Sequence, residues 1–151
     1  MITIYTDGGC TGNPGPGAWA FVAADGSADR LELLYEQSGY VPDTTNNRME
    51  LKAVIEALRW IQKSHPHIPA VIHTDSQYTQ KGIGEWIKNW KRNNWKTAAK
   101  KPVKNKDLWI ELNRLNTDVQ PQWKWVKGHA GVELNEHCDD MVKKCLKNEN
   151  I

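Results

Sequence analysis

Four carboxylates lie at positions that indicate a shared chemical role. Asp7 and Asp75 each follow a short β-rich segment, while Glu50 and Asp139 fall within segments of helical periodicity. Carboxylate oxygens are preferred ligands of Mg²⁺, and a pair of such ions can clamp both the attacking and the leaving oxygen of a phosphodiester. Together the four acids indicate metal-assisted phosphoryl chemistry.

Glu50 is placed by helical phase. At 100° per residue it falls between Ala53 and Val54 and in line with Ala57, so it points along the apolar stripe of its helix. An ionised carboxylate that faces a core is costly unless it is paired or bound to a metal. The alternative is a capping box in which Asn47 is the N-cap and Glu50 the third helical residue. Both interpretations stay open on the sequence alone.

The adjacent acids Asp139 and Asp140 are separated by the same geometry. Asp139 lies at the edge of the apolar stripe, beside Asn135, whereas Asp140 lies on the opposite, solvated side. Asp139 is therefore the candidate ligand. The stripe itself consists of Leu134, Cys138, Met141, Val142, Cys145 and Leu146.

Asp7 and Asp75 allow two interpretations each. A side chain at the end of a strand can emerge at the carboxyl edge of the sheet, where open α/β folds bind ligands. Alternatively, Asp7 begins an ordinary Asp-Gly turn, and Asp75 is the N-cap of the helix that follows it.

Hydrophobic periodicity predicts an α/β fold with a mixed five-stranded sheet flanked by helices. The first three strands form an antiparallel meander, and strand–helix alternation then implies parallel strands. We expect one domain over residues 1–151, with Asn46 or Asn47 as the N-cap of the first helix. The predicted strands cover 1–6, 18–25, 31–41, 70–74 and 122–126, and the later helices cover 76–92, 105–116 and 133–147.

The charge is distributed unevenly along the chain. Of 20 basic residues, eight lie between Lys88 and Lys106, a segment without any acid, which leaves 12 basic against 18 acidic residues elsewhere. Such asymmetry favours contact between the basic segment and nucleic-acid phosphates, although a charge run can also be a merely solvated face.

Other features of the composition limit the class of protein. No apolar run approaches the length of a membrane span, and the N-terminus lacks the pattern of a signal peptide. Three cysteines without tight spacing do not form a disulfide framework. We expect a soluble, cytoplasmic protein with no membrane contact, and a monomer.

Several ordered motifs resemble type 1 ribonuclease H, especially its bacterial form, over nearly the whole chain. The matching segments are YTDGGC with GNPGPG (5–10 and 12–17), TTNNRMEL (44–51), TDSQY (74–78), WKT (95–97), KKPVKN (100–105), WVKGHAG (125–131) and NEHCD (135–139). Gly9 is a departure, since a serine is common there.

The resemblance implies an endonuclease that cuts the RNA strand of RNA/DNA hybrids and leaves 5′-phosphate and 3′-hydroxyl ends. It implies that Asp7, Glu50, Asp75 and Asp139 bind two Mg²⁺ ions, with Mn²⁺ as a substitute. It also implies that His129, in a glycine-flanked loop, assists proton transfer or product departure. Taken without the resemblance, a lone loop histidine is more simply an exposed side chain without function.

The resemblance further implies how the hybrid is bound. Asn13, Asn46 and Gln77 match residues that reach the hybrid near its 2′-hydroxyls and bases, and Thr45 matches part of a pocket for a DNA-strand phosphate. Turn and capping roles are the structural alternatives for these four. The segment at about 86–106 matches a basic protrusion whose lysines contact DNA phosphates, here Lys96, Lys100, Lys101 and Lys104.

Two other classes of protein compete with this interpretation. A nucleic-acid-binding module without chemistry would keep the basic segment but lose a carboxylate, and all four are present. A DNA nuclease of the resolvase or transposase type shares the superfold. The segment from Thr44 to Glu50 and the basic protrusion argue against it.

Overall fold

The computed structural model describes residues 1–27, 30–126 and 133–149. Its centre is a mixed five-stranded sheet of order β3-β2-β1-β4-β5, which confirms the predicted fold class. β1 pairs antiparallel with β2 and parallel with β4, while β3 and β5 complete the two edges. The strands are β1 (Ile2–Cys10), β2 (Gly15–Ser27), β3 (Arg30–Thr44), β4 (Ala70–Thr74) and β5 (Gln122–Trp125).

The meander strands are longer than the sequence predicts. β1 continues past its predicted end at residue 6, because Asp7, Gly8 and Gly9 each keep a partner on β2. Ladder pairing here overrides the low strand propensity of glycine, as tertiary context commonly does. The predicted break between strand and loop therefore shifts to Cys10.

Helices cover both faces of the sheet. The larger core lies between α1, α4 and one face, where Ile4, Phe21, Ile72 and Trp109 are fully buried. α5 covers the other face over a smaller core that includes Cys138. The helices are α1 (Asn46–Ser64), α2 (Gln77–Lys81), α3 (Ile87–Arg92), α4 (Lys106–Val119) and α5 (Glu133–Glu149).

Thr45, rather than Asn46 or Asn47, is the N-cap of α1. Its backbone is extended, and its hydroxyl accepts a hydrogen bond from the Arg48 amide at 3.3 Å. Both predicted caps are therefore wrong by one or two residues, and the capping-box alternative for Glu50 is also wrong. Asn46 and Asn47 instead occupy the first turn of the helix.

The helix predicted over 76–92 is interrupted. A π-helical turn at Gly82–Trp86 separates α2 from α3. A Cβ on Gly82 would lie 1.9 Å from the Trp109 ring, so only glycine lets the chain pack this closely onto the core tryptophan.

The described ranges also bear on the expectations about membrane-spanning helices and cysteines. None of the described helices is long and apolar enough to cross a membrane. Cys10, Cys138 and Cys145 are free. Trp109 is fully buried in the larger core. Trp123 and Trp125 are both half-exposed, and of these two Trp123 packs against that core.

Gly8 sets the distance between β1 and α1. A Cβ at this position would lie 2.4 Å from the carbonyl carbon of Met49 and 2.5 Å from the amide nitrogen of Glu50. The obstruction is backbone, which cannot rotate away. β1 therefore passes directly against the first turn of α1, and the residues beside this contact are Asp7 and Glu50.

We expect Gly8→Ala to destabilise the fold by about 1–3 kcal/mol, because the added methyl group must push β1 and α1 apart. Gly9→Ala is the matched control, since a Cβ there meets Val142 Cγ1 at an ordinary 3.4 Å. Urea unfolding of both variants measures the difference. Equal stability of the two variants would contradict the close-approach account.

Candidate active site

Asp7 and Asp75 lie side by side on neighbouring parallel strands. Tyr5 pairs with His73, and each aspartate follows its strand's member of that pair by two residues. The alternatives of an Asp-Gly turn and an N-cap are wrong, because Asp7 lies within β1 and Ser76 caps α2. Two carboxylates thus share the carboxyl edge of the parallel strands.

Glu50 reaches this edge from α1, just after the first turn of the helix. Its Oε1 accepts a hydrogen bond from Asn46 Nδ2 at 3.2 Å, and the Ser76 hydroxyl also bonds its carboxylate. Burial raises the pKa of Glu50, the charge of Asp75 adds to the rise, and the two hydrogen bonds oppose it. The side chain is therefore oriented by groups on α1 and at the start of α2.

Asp139 approaches from α5, on the opposite face of the sheet from α1. It is partly buried, whereas Asp140 is exposed, so the helical-phase separation of these two residues agrees with the structure. Lys143 Nζ lies 2.8 Å from Asp139 Oδ2, one helical turn away. This ion pair leaves Lys143 itself mostly exposed.

The carboxylates interact strongly enough to change the protonation of Asp7. Burial, together with the negative charges of Asp75 and Asp139 and a hydrogen bond to Asp139, raises the pKa of Asp7 to about 8. Burial and the same negative field, led by Asp7, hold the pKa of the Cys138 thiol well above its usual value. A bound cation would relieve this repulsion.

The donor set fits a hard divalent cation that keeps part of its water shell. Among residues 1–27, 30–126 and 133–149, no three His, Cys, Asp or Glu side chains converge closely enough to enclose an ion. Magnesium commonly takes only one or two carboxylates and completes its shell with waters and substrate phosphates. Electrostatically coupled acids around an open edge suit that mode of binding better than a closed cage would.

Three of the four polar residues predicted to contact substrate lie at the start of α1 and in the loop after β1. The Asn46 amide donates to Asn13 Oδ1 at 3.1 Å, which joins the loop after β1 to the start of α1. Thr45 uses its hydroxyl as an acceptor in the N-cap. Gln77, the first residue of α2, is exposed two positions after Asp75. The capping alternative therefore holds for Thr45, and it leaves the hydroxyl proton available to a ligand.

The basic protrusion (residues 86–106) folds back on itself beyond α3. Lys96 and Pro102 form an isolated bridge, and the Val103 amide donates to the Trp95 carbonyl at 3.1 Å. Four tryptophan rings pack at its base, with centroids 5.4–6.2 Å apart along the chain of contacts. These rings are Trp86, Trp90, Trp95 and Trp109, and the exposed lysines above them include Lys96, Lys100, Lys101 and Lys104.

A polar network that the sequence did not reveal connects this protrusion to α1. Arg48 forms a two-pronged ion pair with Asp107 at 2.8 and 3.0 Å and also donates to Asn105. Asn105 and the Trp109 indole both donate to the Tyr78 hydroxyl at 3.0 Å. The network fixes the protrusion relative to the helix that carries Glu50.

Sequence reasoning also missed Ser76 and Lys143, which contact Glu50 and Asp139 respectively. Ser76 had a usable signal, since it follows Asp75 at the start of a helix and serine is a preferred N-cap. Lys143 also had one, at four residues after Asp139 on the same helix face. His129, predicted to assist catalysis, lies outside the described residues.

A cavity of about 550 Å³ lies at the other end of the sheet. Its walls come from the end of α1, the loop before β4 and the end of α4, and include Ile61, Ile68 and Val119. Because the loop before β4 enters the sheet at the amino end of that strand, this cavity is remote from the four carboxylates.

Comparison with known proteins gives consistent matches over most of the chain. A family model described as RNase H matches residues 1–147. A ribonuclease H of Treponema denticola is 51% identical over 158 aligned positions, which cover 97% of this chain and 98% of that protein. A ribonuclease HI of Caulobacter vibrioides is 48% identical and covers 99% of this chain and 95% of its own length.

Solved structures agree with the sequence matches. LC9-RNase H1, described as a type 1 RNase H with the type 2 active-site motif, superposes with a TM-score of 0.84 at 30% identity. The alignment covers 97% of this chain and 72% of that one. LC11-RNase H1, solved in complex with an RNA/DNA hybrid, has a TM-score of 0.76 at 24% identity with full coverage of both chains. This second likeness concerns the fold.

The raised pKa of Asp7 predicts an unusual pH dependence of stability without divalent cations. Its ordinary pKa is 3.8 and its pKa in the folded state is about 8, so the folded protein binds the extra proton between these values. Stability from this proton is complete below the ordinary pKa and is lost as the pH rises through about 8. Asp7→Asn cannot ionise and should lack this loss.

We therefore expect the free energy of unfolding in EDTA to fall relative to Asp7→Asn as the pH rises from 5 to 8, by up to about 1.4 kcal/mol per pH unit. Added Mg²⁺ should stabilise the unsubstituted protein more than the variant. Urea unfolding at several pH values measures both effects. Parallel pH profiles for the two proteins would refute the assigned protonation of Asp7.

Proposed function

Because this chain belongs to the ribonuclease H family, we propose that it is an endonuclease that hydrolyses the RNA strand of RNA/DNA hybrids. The observation that carries the proposal is the electrostatic coupling of Asp7 to Asp75 and Asp139: burial, with their negative charges, raises the pKa of Asp7 to about 8. Glu50 is coupled to Asp75 in the same way, since burial and the charge of Asp75 raise its pKa. This repulsion does not stabilise the fold, so packing gives no reason for placing these acids together. A cation-dependent reaction explains it.

We assign Asp7, Glu50, Asp75 and Asp139 as the residues that would hold two Mg²⁺ ions, with Mn²⁺ as a substitute. When bound, the ions would neutralise the cluster and stabilise the charge that develops on phosphate oxygens. Ser76 and Asn46 orient Glu50, and Lys143 offsets the charge of Asp139. These contacts keep the acids apart until the substrate phosphate arrives.

The proposed reaction is a single displacement at phosphorus. A water oxygen bonds to phosphorus and loses a proton, while the bond between phosphorus and the 3′-oxygen breaks. The phosphate stays on the 5′ end of one fragment, and the departing oxygen takes a proton to become the 3′-hydroxyl of the other. We propose that His129 assists this proton transfer or the departure of product.

Substrate selection is assigned to neutral polar groups near the carboxylates. Asn13, Asn46 and Gln77 carry amides that can bond 2′-hydroxyls and base edges, which distinguishes an RNA strand from DNA. Thr45 and the lysines of the basic protrusion are assigned to phosphates of the DNA strand. We propose that the enzyme acts as a monomer in the cytoplasm.

We expect Asp75→Asn to reduce hybrid cleavage by at least 10³-fold while its unfolding midpoint stays near that of the unsubstituted protein. The substitution keeps the shape of the side chain and removes its charge. Asp140→Asn is the control, because that residue is adjacent in sequence to Asp139 and exposed. Cleavage by Asp75→Asn at the unsubstituted rate would refute the metal-ligand assignment.

A panel of labelled duplexes tests the reaction class. With Mg²⁺, we expect cleavage of the RNA strand of a hybrid and no cleavage of single-stranded RNA or duplex DNA of the same sequence. EDTA should stop the reaction, and end analysis should find 5′-phosphates. Equal cleavage of all three substrates would indicate a general nuclease instead.

The basic protrusion makes a separate prediction about binding. Replacing Lys100, Lys101 and Lys104 with alanine should weaken hybrid binding and reduce the slope of log K against log salt by up to about 3, since each phosphate contact contributes about 0.9. The matched control replaces three exposed lysines outside the protrusion, Lys63, Lys144 and Lys147. Equal salt slopes in the two triple variants would contradict the assignment.

A further inference from the structure

A groove of about 570 Å³ runs from Gln77 along the side of α2 to the π turn. One wall is the exposed side of α2 and the π turn, with Gln80 and Lys81, and the other is the edge strand β5. The groove begins two residues after Asp75, so it opens beside the candidate active site. Its residues are Gln77, Gln80, Lys81, Ile83, Gly84, Glu85, Trp123 and Trp125.

Two parallel tryptophan rings form the β5 wall of the groove. Trp123 and Trp125 stack with centroids 5.5 Å apart and planes inclined by only 6°. Trp123 packs against the larger core, whereas Trp125 contacts neither core cluster in the described part of the chain. Both rings are half-exposed, so the stack offers aromatic surface to the groove rather than burying it.

The stack ends at the edge of the sheet where Asp75 lies. Trp125 is the last residue of β5 and pairs with Thr74, which directly precedes Asp75. A planar group that extended the stack beyond Trp123 and Trp125 would therefore lie beside the carboxyl edge of the sheet. Nucleobases are such groups, and stacking on aromatic side chains is the usual way in which unpaired nucleotides are bound.

The opposite wall leaves room for a base. In the π turn Gly84 and Glu85 are exposed, and a Cβ on Gly84 would find no atom within 4 Å. Charge gives the groove little attraction for phosphate, because Lys81 and Glu85 offset each other. Recognition in this groove should therefore depend on stacking and on the amides of Gln77 and Gln80, and only weakly on salt.

We propose that this groove binds an unpaired nucleotide of the RNA strand where that strand leaves the hybrid duplex at the active site. The RNA strand is favoured because the carboxylates hold it at the same sheet edge and Gln77 lines both places. The inference rests on the proposed function and adds to it a preference for hybrids whose RNA strand continues beyond the duplex.

Equilibrium binding in EDTA tests the proposal without strand cleavage. The reference probe is a hybrid with blunt ends. Each other probe is the same hybrid with one three-nucleotide overhang, placed at one end of the RNA strand or at one end of the DNA strand. We expect one RNA overhang to tighten binding on the order of tenfold, as stacking of a single base on an aromatic side chain does. The gain should change little between low and physiological salt.

Four variants separate the groove from the rest of the binding surface. Trp125→Ala should abolish the overhang gain, and Trp125→Phe should keep most of it. Gly84→Leu should reduce the gain by filling open space. Tyr35→Ala is the matched control. Tyr35 on the opposite edge strand, β3, and Trp60 on α1 form an equally parallel stack, with 5.4 Å between centroids and planes inclined by 6°.

The outcomes distinguish this proposal from the proposed function. Cleavage of the blunt hybrid with Mg²⁺ tests the function alone, and all four variants should retain it. If the blunt hybrid is cut but no RNA overhang tightens binding, the groove proposal is overturned and the function stands. A gain that persists in both Trp125→Ala and Gly84→Leu, or an equal gain from a DNA overhang, also overturns it.

Discussion

Repulsion among partly buried carboxylates is the interaction on which the arrangement of this site depends. Burial, together with the negative charges of Asp75 and Asp139, raises the pKa of Asp7 to about 8. Like charges at such an edge separate unless the backbone prevents it. The backbone does so here through Gly8, because only the absence of a Cβ lets β1 lie against the first turn of α1. The stability lost in this arrangement is recovered in the cores on either face of the sheet.

The neighbouring polar groups determine how far that repulsion is relieved before a cation binds. Asn46 and Ser76 donate to Glu50, and Lys143 pairs with Asp139, so two acids have partners of their own. Asp7 lies on β1, and its burial, together with the charges of Asp75 and Asp139, raises its pKa to about 8. A cation that binds at neutral pH must displace this proton. Metal affinity should therefore depend on pH through Asp7 above all.

The sheet class could be predicted from the sequence and is confirmed, while the assignment of the four acids to one metal site stays a prediction. Several local alternatives for these acids, such as an Asp-Gly turn at Asp7, were wrong. Helical phase separated Asp139 from Asp140, because a 100° step puts adjacent residues on different sides whatever surrounds the helix. The N-cap of α1 lies one residue before the first of the two asparagines, because the Thr45 hydroxyl accepts a hydrogen bond from the Arg48 amide. Long-range contacts such as that of Gly82 with Trp109 have no local signal, and the π turn could not be predicted without them.

The basic protrusion likewise depends both on local sequence and on long-range contacts. The lysines of the basic protrusion are visible in the sequence as a charge run, yet their position depends on Arg48, Asp107 and the Tyr78 hydroxyl, which lie far apart in the chain. Because Arg48 is two residues before Glu50, the helix that carries Glu50 also anchors the basic protrusion. A shift of α1 would therefore move both together. The spacing between the proposed active site and the proposed phosphate contacts is thus set by one helix and its polar contacts, whichever conformations the exposed lysine side chains adopt.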